Sequence, residues 1–151
     1  MSNKVEALDR LQRACDKAAG ALSDAGDDLV ADLGLSTARM QLLDDLAANG
    51  PRTVSQVARS LGLSRQAVQR VADDLVQRGL AAYQPNPDHA RAQLLDMTAG
   101  GRAAHAEAAR RKALWLASLG QGLTPAWIDM ASELMTLLAR RAAQKAQIPD
   151  A

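Results

Sequence analysis

The chain has 151 residues, 48% of them hydrophobic but only 2% aromatic and none of them Phe, so a single domain must build its core from Leu, Val and Ala. One cysteine excludes an internal disulfide and a cysteine-based zinc site, and no apolar run approaches the roughly 20 residues needed to cross a bilayer. The net charge of +1 hides a division: residues 1–50 hold 5 Lys/Arg against 9 Asp/Glu, residues 52–91 hold 6 against 3, and residues 92–151 hold 7 against 5.

From Asn3 to Leu33 the pattern is helical. Val5, Leu8, Leu11, Cys15 and Leu22 follow three- and four-residue steps, Asp9, Asp16, Asp24, Asp27 and Asp28 are expected on the wet side, and Gly20 and Gly26 are points where the helix could bend. A monomer would have little to cover this stripe. Cys15 lies on it, where the plain reading is a small hydrophobe at a packing surface.

Ser36 starts a second helix with Ala38, Leu42, Leu43 and Leu46 or Ala47 inward, and Asn49-Gly50-Pro51 ends it. Arg52, in the connection, is read either as a phosphate contact or as a solvated loop charge. Thr53 to Leu63 is a short helix capped by Thr53, stopped by Gly62 and buried through Val54, Val57, Ala58 and Leu61. The next helix runs from Ser64 to Gly79, with Val68, Val71, Ala72 and Leu75 on its apolar face. Gln66 and Arg70 stand opposite, Gln69 on the flank and Arg65 in the first turn. Leu80 to Gln84 and Ala92 to Met97 are expected as two strands around a turn at Pro85-Asn-Pro-Asp88, with Leu95 and Met97 sharing a face.

Thr98-Ala-Gly-Gly101 is expected to cap a helix from about Arg102 to Leu119, in which Ala104, Ala108, Trp115 and Leu119 share a side. Arg110-Arg111-Lys112 is read as a solvent-exposed charge run. Thr124 and Pro125 start a last helix aligning Trp127, Ala131, Leu134 and Leu138.

A short helix, a tight turn and a longer helix form a helix-turn-helix, whose second helix enters the DNA major groove. Arg binds guanine and Gln adenine through paired hydrogen bonds, so Arg65, Gln66, Gln69 and Arg70 suit base edges. A hairpin after such a helix is a wing, and His89 and Arg91 at its tip suit the narrow minor groove. The plainer alternative is a helical hairpin with polar residues facing water.

In this order and spacing the chain resembles the MarR family of winged helix-turn-helix transcription regulators. The resemblance rests on Gln41-Leu42-Leu43, Thr53 to Leu61, Leu63-Ser64-Arg65 with Val68 and Arg70, Leu75 with Arg78-Gly79-Leu80, Asn86-Pro87 through Arg91, and Met97-Thr98 with Gly101. It covers residues 36–119, and the two ends only by helical pattern. Members usually carry Asp-Arg-Arg at the wing tip, where this chain has His89-Ala90-Arg91, so Arg91 takes the place of the second arginine. The basic residue often found in the strand after Gly79-Leu80 is replaced by Tyr83 or Gln84.

The resemblance implies a mainly α fold with a small β-wing. Residues 1–35 and 99–151 would form a dimerisation region around a DNA-binding lobe at 36–98. It implies a homodimeric repressor on double-stranded DNA with a near-palindromic site; the cytoplasm is the compartment expected from an N-terminus with no basic-then-apolar signal pattern, no apolar span and a single cysteine. Thr53, Ser64, Arg65, Gln66, Gln69, Arg70, His89 and Arg91 would be its DNA-binding residues. A small-molecule effector between the dimerisation helices and the lobe would change the spacing of the recognition helices, with Trp115, Trp127 and Tyr83 as candidate lining. A branch of the family that senses organic hydroperoxides uses a lone cysteine in its first helix, which makes Cys15 a redox candidate; the tyrosine partners of that branch have no counterpart before Tyr83.

Enzyme signatures are lacking. His89 and His105 have no Cys or Glu at metal-ligand spacing, and no Gly-rich phosphate loop or Gly-x-Ser-x-Gly occurs, so neither a metal nor a cofactor is expected. His105 reads as a surface or interface residue. A second reading, from another class, is a winged-helix protein-interaction module that has lost specific DNA binding, which Ala90 and the thin basic excess favour.

Overall fold

The computed structural model describes residues 3–89 and 92–144. Arg91, expected at the wing tip, lies outside the described residues. The chain divides into two compact units, Met1–Ala113 and Leu114–Ala151.

In the first unit, helix α1 spans Asn3–Val30 and runs straight through Gly20 and Gly26, followed by a 3-10 turn at Ala31–Leu33. Its stripe is uncovered, with Val5, Leu8 and Leu22 all exposed. Cys15 and Leu11, one turn apart, are half-buried.

Helix α2 spans Thr37–Asn49. The Ser36 hydroxyl accepts from the Arg39 N–H at its start, and the Asp27 carboxylate, reaching from α1, accepts from the Thr37 N–H. The Thr37 side chain first, and then that backbone bond, hold the Asp27 carboxyl below its ordinary value. Leu42, Leu43 and Leu46 are buried as expected, but Ala38 and Ala47 face outward. Asp45 takes the remaining inward position at 6% exposure.

Helices α3, Val54–Leu61, and α4, Arg65–Gln77, follow. Thr53 caps α3 through a reciprocal box: its hydroxyl accepts from the Gln56 N–H while the Gln56 side chain accepts from the Thr53 N–H. Ser64 caps α4 by accepting from the Ala67 N–H at 3.1 Å. Gly79, at φ +72°, closes α4: its N–H donates to Val76 and that of Leu80 to Leu75, the Schellman arrangement that only a left-handed residue completes at little strain.

Strands β1, Ala81–Gln84, and β2, Leu94–Met97, pair antiparallel with Ala81 opposite Met97 and Gln84 opposite Leu94. Arg52 adds an isolated antiparallel bridge to β2, exchanging two backbone hydrogen bonds with Leu95 at 3.0 and 2.8 Å. The wing is thus stitched at its base to the segment that leads into α3. One core joins these pieces: Leu42, Leu43 and Leu46 of α2, Val57 and Ala58 of α3, Val68, Ala72 and Leu75 of α4, and Leu95 of β2. Each large side chain among them contributes roughly 1.5 to 3 kcal/mol by leaving water.

Helix α5, Ala99–Leu119, starts three residues before the expected Arg102, so Gly100 and Gly101 lie inside its first turn. The reason is tertiary. A Cβ on Gly101 would sit 1.8 Å from the Leu80 carbonyl oxygen, so the helix start and the strand entry touch backbone to backbone. Thr98 fixes the corner, its hydroxyl donating to Gly79 O and accepting from the Gly101 N–H. Farther along, Arg111 leaves its expected place in a solvated run. It donates to Asp32, Glu107 and the Leu29 carbonyl, tying α5 to the end of α1. Hydrogen bonds from Arg110 and Arg111 hold the Glu107 carboxyl down at about 2.

The second unit contains the end of α5 and helix α6, Pro125–Ala143, capped by the Thr124 hydroxyl with Pro125 in the first turn. Among its described residues none is fully buried. Trp115, Met135 and Leu138 are half-covered, whereas Trp127 is 59% and Met130 65% exposed.

Candidate nucleic-acid interface

The apolar face of α4 is sealed against α2 and α3, which turns the first two turns of its opposite face to solvent. Arg65, Gln66, Gln69 and Arg70 are all exposed there. Among the described residues, Arg65, Gln66 and Arg70 make no side-chain hydrogen bond or ion pair. Long side chains left without internal partners keep their donors for an outside acceptor.

Gln69 differs. Its Nε2 donates to Asp73 Oδ1 at 2.8 Å and to the Tyr83 hydroxyl at 2.7 Å, and the same hydroxyl donates to Asp73 at 2.9 Å. Three side chains thus close a ring between α4 and β1. Partial burial, with Asp73 beside it, pushes the Tyr83 phenol up to about 12. Tyr83, weighed from sequence as ligand lining, therefore has a bonding role at the joint between recognition helix and wing.

Three other arginines of the lobe are drawn into ion pairs. Arg52 Nη1 binds both oxygens of the Asp45 carboxylate at 3.2 Å, and Ser60 and Asn49 also donate to that carboxylate. Neither alternative weighed for Arg52 from sequence describes this arrangement: it satisfies a buried charge. Arg78 and Arg39 both pair with Asp74, and these bonds, Arg78 first, hold the Asp74 carboxyl below its ordinary value. Among the described residues, the exposed Arg59 of α3 joins Arg65 and Arg70 as cations of the lobe with no ion pair. Asp74 of α4 is thus paired with two guanidiniums, whereas Asp73 of the same helix is exposed beside Gln69.

Thr53 and Ser64, expected at the DNA surface, both spend their hydroxyls as helix caps, and Ser64 remains exposed at the start of α4. His89 is exposed in the wing loop, whose turn is held by the Asp88 N–H donating to Asn86 Oδ1. His105 Nε2 lies 2.7 Å from Asp44 Oδ1, a surface pairing between α5 and α2. Sequence reasoning missed Asp45, Arg39 and Asp73, each of which acts through a partner distant in the chain.

Residues 33–92 match the family model described as MarR family. The fold is that of the MarR transcription regulators. A crystallised MarR family transcription regulator aligns over 95% of this chain and 97% of its own at TM-score 0.86 and 20% identity. A variant of MarR from E. coli, complexed with operator DNA, aligns over 91% of this chain and 99% of its own at TM-score 0.78 and 20% identity. Among curated sequences, uncharacterized proteins of Mycobacterium tuberculosis and Mycobacterium bovis are each 48% identical over 84 residues, 56% of this chain. The match spans 58% of the length of those relatives. The MarR-type lobe, with its helix-turn-helix and two-stranded wing, thus has the architecture expected from sequence.

In the second unit, Trp127 lines an open apolar groove of about 490 Å³ with Leu123, Ile128, Ala131, Ser132 and Met135. Trp115 is not among its lining residues. Among the described residues no group of His, Cys, Asp and Glu is placed to hold a metal, and no helix is long and apolar enough to cross a membrane.

Proposed function

We propose that this chain is a sequence-specific DNA-binding transcription regulator that acts in the cytoplasm as a homodimer on a near-palindromic site. The observation that carries the reading is the first half of α4, where Arg65, Gln66 and Arg70 stand exposed without internal partners beside a wing. The MarR variant complexed with operator DNA, similar in fold, supports it.

A homodimer is supported by what each unit leaves uncovered: Val5, Leu8 and Leu22 on α1, and Trp127, Ile128, Met130 and Leu134 on α6. Apolar surface of this kind marks an interaction site. Two copies would set their recognition helices about one DNA turn apart, roughly 34 Å. The protein would then be a repressor, released when a small apolar molecule binds one spacing of the two lobes better than the other, and only as far as that preference extends.

A gel shift on the DNA upstream of the protein's own gene, repeated across a range of salt, tests this. Specific retention that weakens steeply as salt rises is expected, because phosphate contacts release counterions. Retention of unrelated DNA to the same extent, or no retention at low salt, would favour the protein-interaction module instead. The withdrawal of Arg52 and Arg78 into ion pairs is the observation that speaks for that second reading.

A further inference from the structure

A glutamine carboxamide has two N–H donors and one carbonyl oxygen. In this protein both donors of Gln69 are spent inside the molecule, one on the Asp73 carboxylate and one on the Tyr83 hydroxyl. The orientation is fixed by chemistry: a carboxylate only accepts, so the nitrogen must face Asp73, and the phenol, which gives its own proton to Asp73, must accept from Gln69. What remains for an outside partner is Oε1, an acceptor and nothing else.

We infer that Gln69 is a specificity-determining residue that reads one operator position by accepting from an exocyclic amine, adenine N6 or cytosine N4, with Asp73 and Tyr83 as its positioning residues. The inference rests on the DNA-binding reading above. In the major groove a glutamine selects adenine by accepting from N6 while donating to N7. Gln69 lacks the second half of that pair. Guanine and thymine offer only acceptors at the corresponding edges, N7 and O6 or O4, and would face the lone pairs of Oε1. Gln69 therefore separates amino bases from keto bases and does not separate adenine from cytosine. The ring also spans α4 and β1, so the groove-reading side chain and the wing strand are held in one register before DNA arrives.

Selection of binding sites from a random double-stranded pool, with the full chain and its Gln69→Ala, Tyr83→Phe and Asp73→Ala variants, tests this. The unsubstituted protein should enrich adenine and cytosine alike, about fivefold over guanine and thymine, at one position of each half-site. Gln69→Ala should make that position indifferent while leaving the others. Tyr83→Phe frees one N–H, so the same position should turn to adenine over cytosine by about tenfold. Asp73→Ala removes the acceptor that orients the carboxamide and takes the Tyr83 proton, so the amino-over-keto preference at that position should be lost, which covers the case in which Tyr83→Phe disturbs folding. A Gln69-dependent position that already prefers adenine to cytosine in the unsubstituted protein, or the absence of any Gln69-dependent position, overturns the inference alone. If the unsubstituted protein enriches no site, the DNA-binding reading fails and takes the inference with it.

Discussion

The lobe around α2, α3, α4 and the wing closes on itself, whereas the unit from Leu114 onward does not. In the lobe the buried leucines and valines meet one another, and even an inward carboxylate, Asp45, is fully provided with donors. In the other unit a Trp and several long aliphatic side chains of α6 lie open. The difference teaches that the two parts satisfy the hydrophobic effect in different ways, one through its own fold and one through whatever comes to cover it. It also sets where substitutions should act on stability and where on association.

Gly101→Ala is the severest expected test of the closed lobe. The added methyl would need the space of the Leu80 carbonyl, which is backbone and gives way only by moving the strand entry from α5. Such overpacking is expected to destabilise by upwards of about 3 kcal/mol, read as a fall in Tm and in the denaturant midpoint. A near-neutral result would mean that α5 is not docked on the wing at this point.

Next in size is Arg52→Ala. It strips a buried carboxylate of its ionic partner, and full removal of one member of a buried pair costs about 3 to 5 kcal/mol. Arg52 is 23% exposed, and Ser60 and Asn49 still donate to Asp45. About 2 kcal/mol is therefore expected, from chemical denaturation. Arg70→Ala should cost nothing measurable in the same experiment, since its side chain has no partner within the described fold.

A titration tests the joint between α4 and the wing. Tyr83 is the single tyrosine, so phenolate absorbance reports it directly. With a folded value raised from 10.0 to about 12, its contribution to stability is whole below pH 10 and is lost as pH rises toward 12. Asp73→Asn should bring the midpoint part of the way back toward 10.0, because the neighbouring negative charge is removed while the burial of the phenol, the larger cause, stays. A midpoint near 10.0 in the unsubstituted protein would break the ring on which the reading of Gln69 depends.

Much of the lobe was legible because its boundaries are written in residues with local roles. Thr53, Ser64, Gly62 and Gly79 mark helix ends by their own backbone preferences, and the three- and four-residue steps of Val57, Ala58, Val68, Ala72 and Leu75 find the core. The alternation of Leu95 and Met97 gives the buried face of the wing. Periodicity fails where a polar residue is turned inward by distant partners. Asp45 is buried by Arg52 and Ser60, and Arg111 is fixed by Asp32, contacts that local pattern does not encode. The start of α5 lies earlier than its pattern suggests for a related reason, because two glycines read as part of the cap until the Leu80 backbone is seen to require one of them inside the helix. The exposed end of α4 was found by its face, but its division into free side chains and the engaged Gln69 needed the third dimension.

The central claim is that unpaired side chains at the start of α4 meet DNA while paired ones of the same helix region hold the fold. The most direct measurement is the dissociation constant for the selected operator and for a scrambled duplex, at fixed salt, for Arg70→Ala and Arg78→Ala. The account predicts that Arg70→Ala loses about 1 to 3 kcal/mol of operator binding, with much less change on the scrambled duplex. Arg78→Ala should bind the operator nearly as the unsubstituted protein does. Equal losses for the two variants, or none for Arg70→Ala, would contradict it.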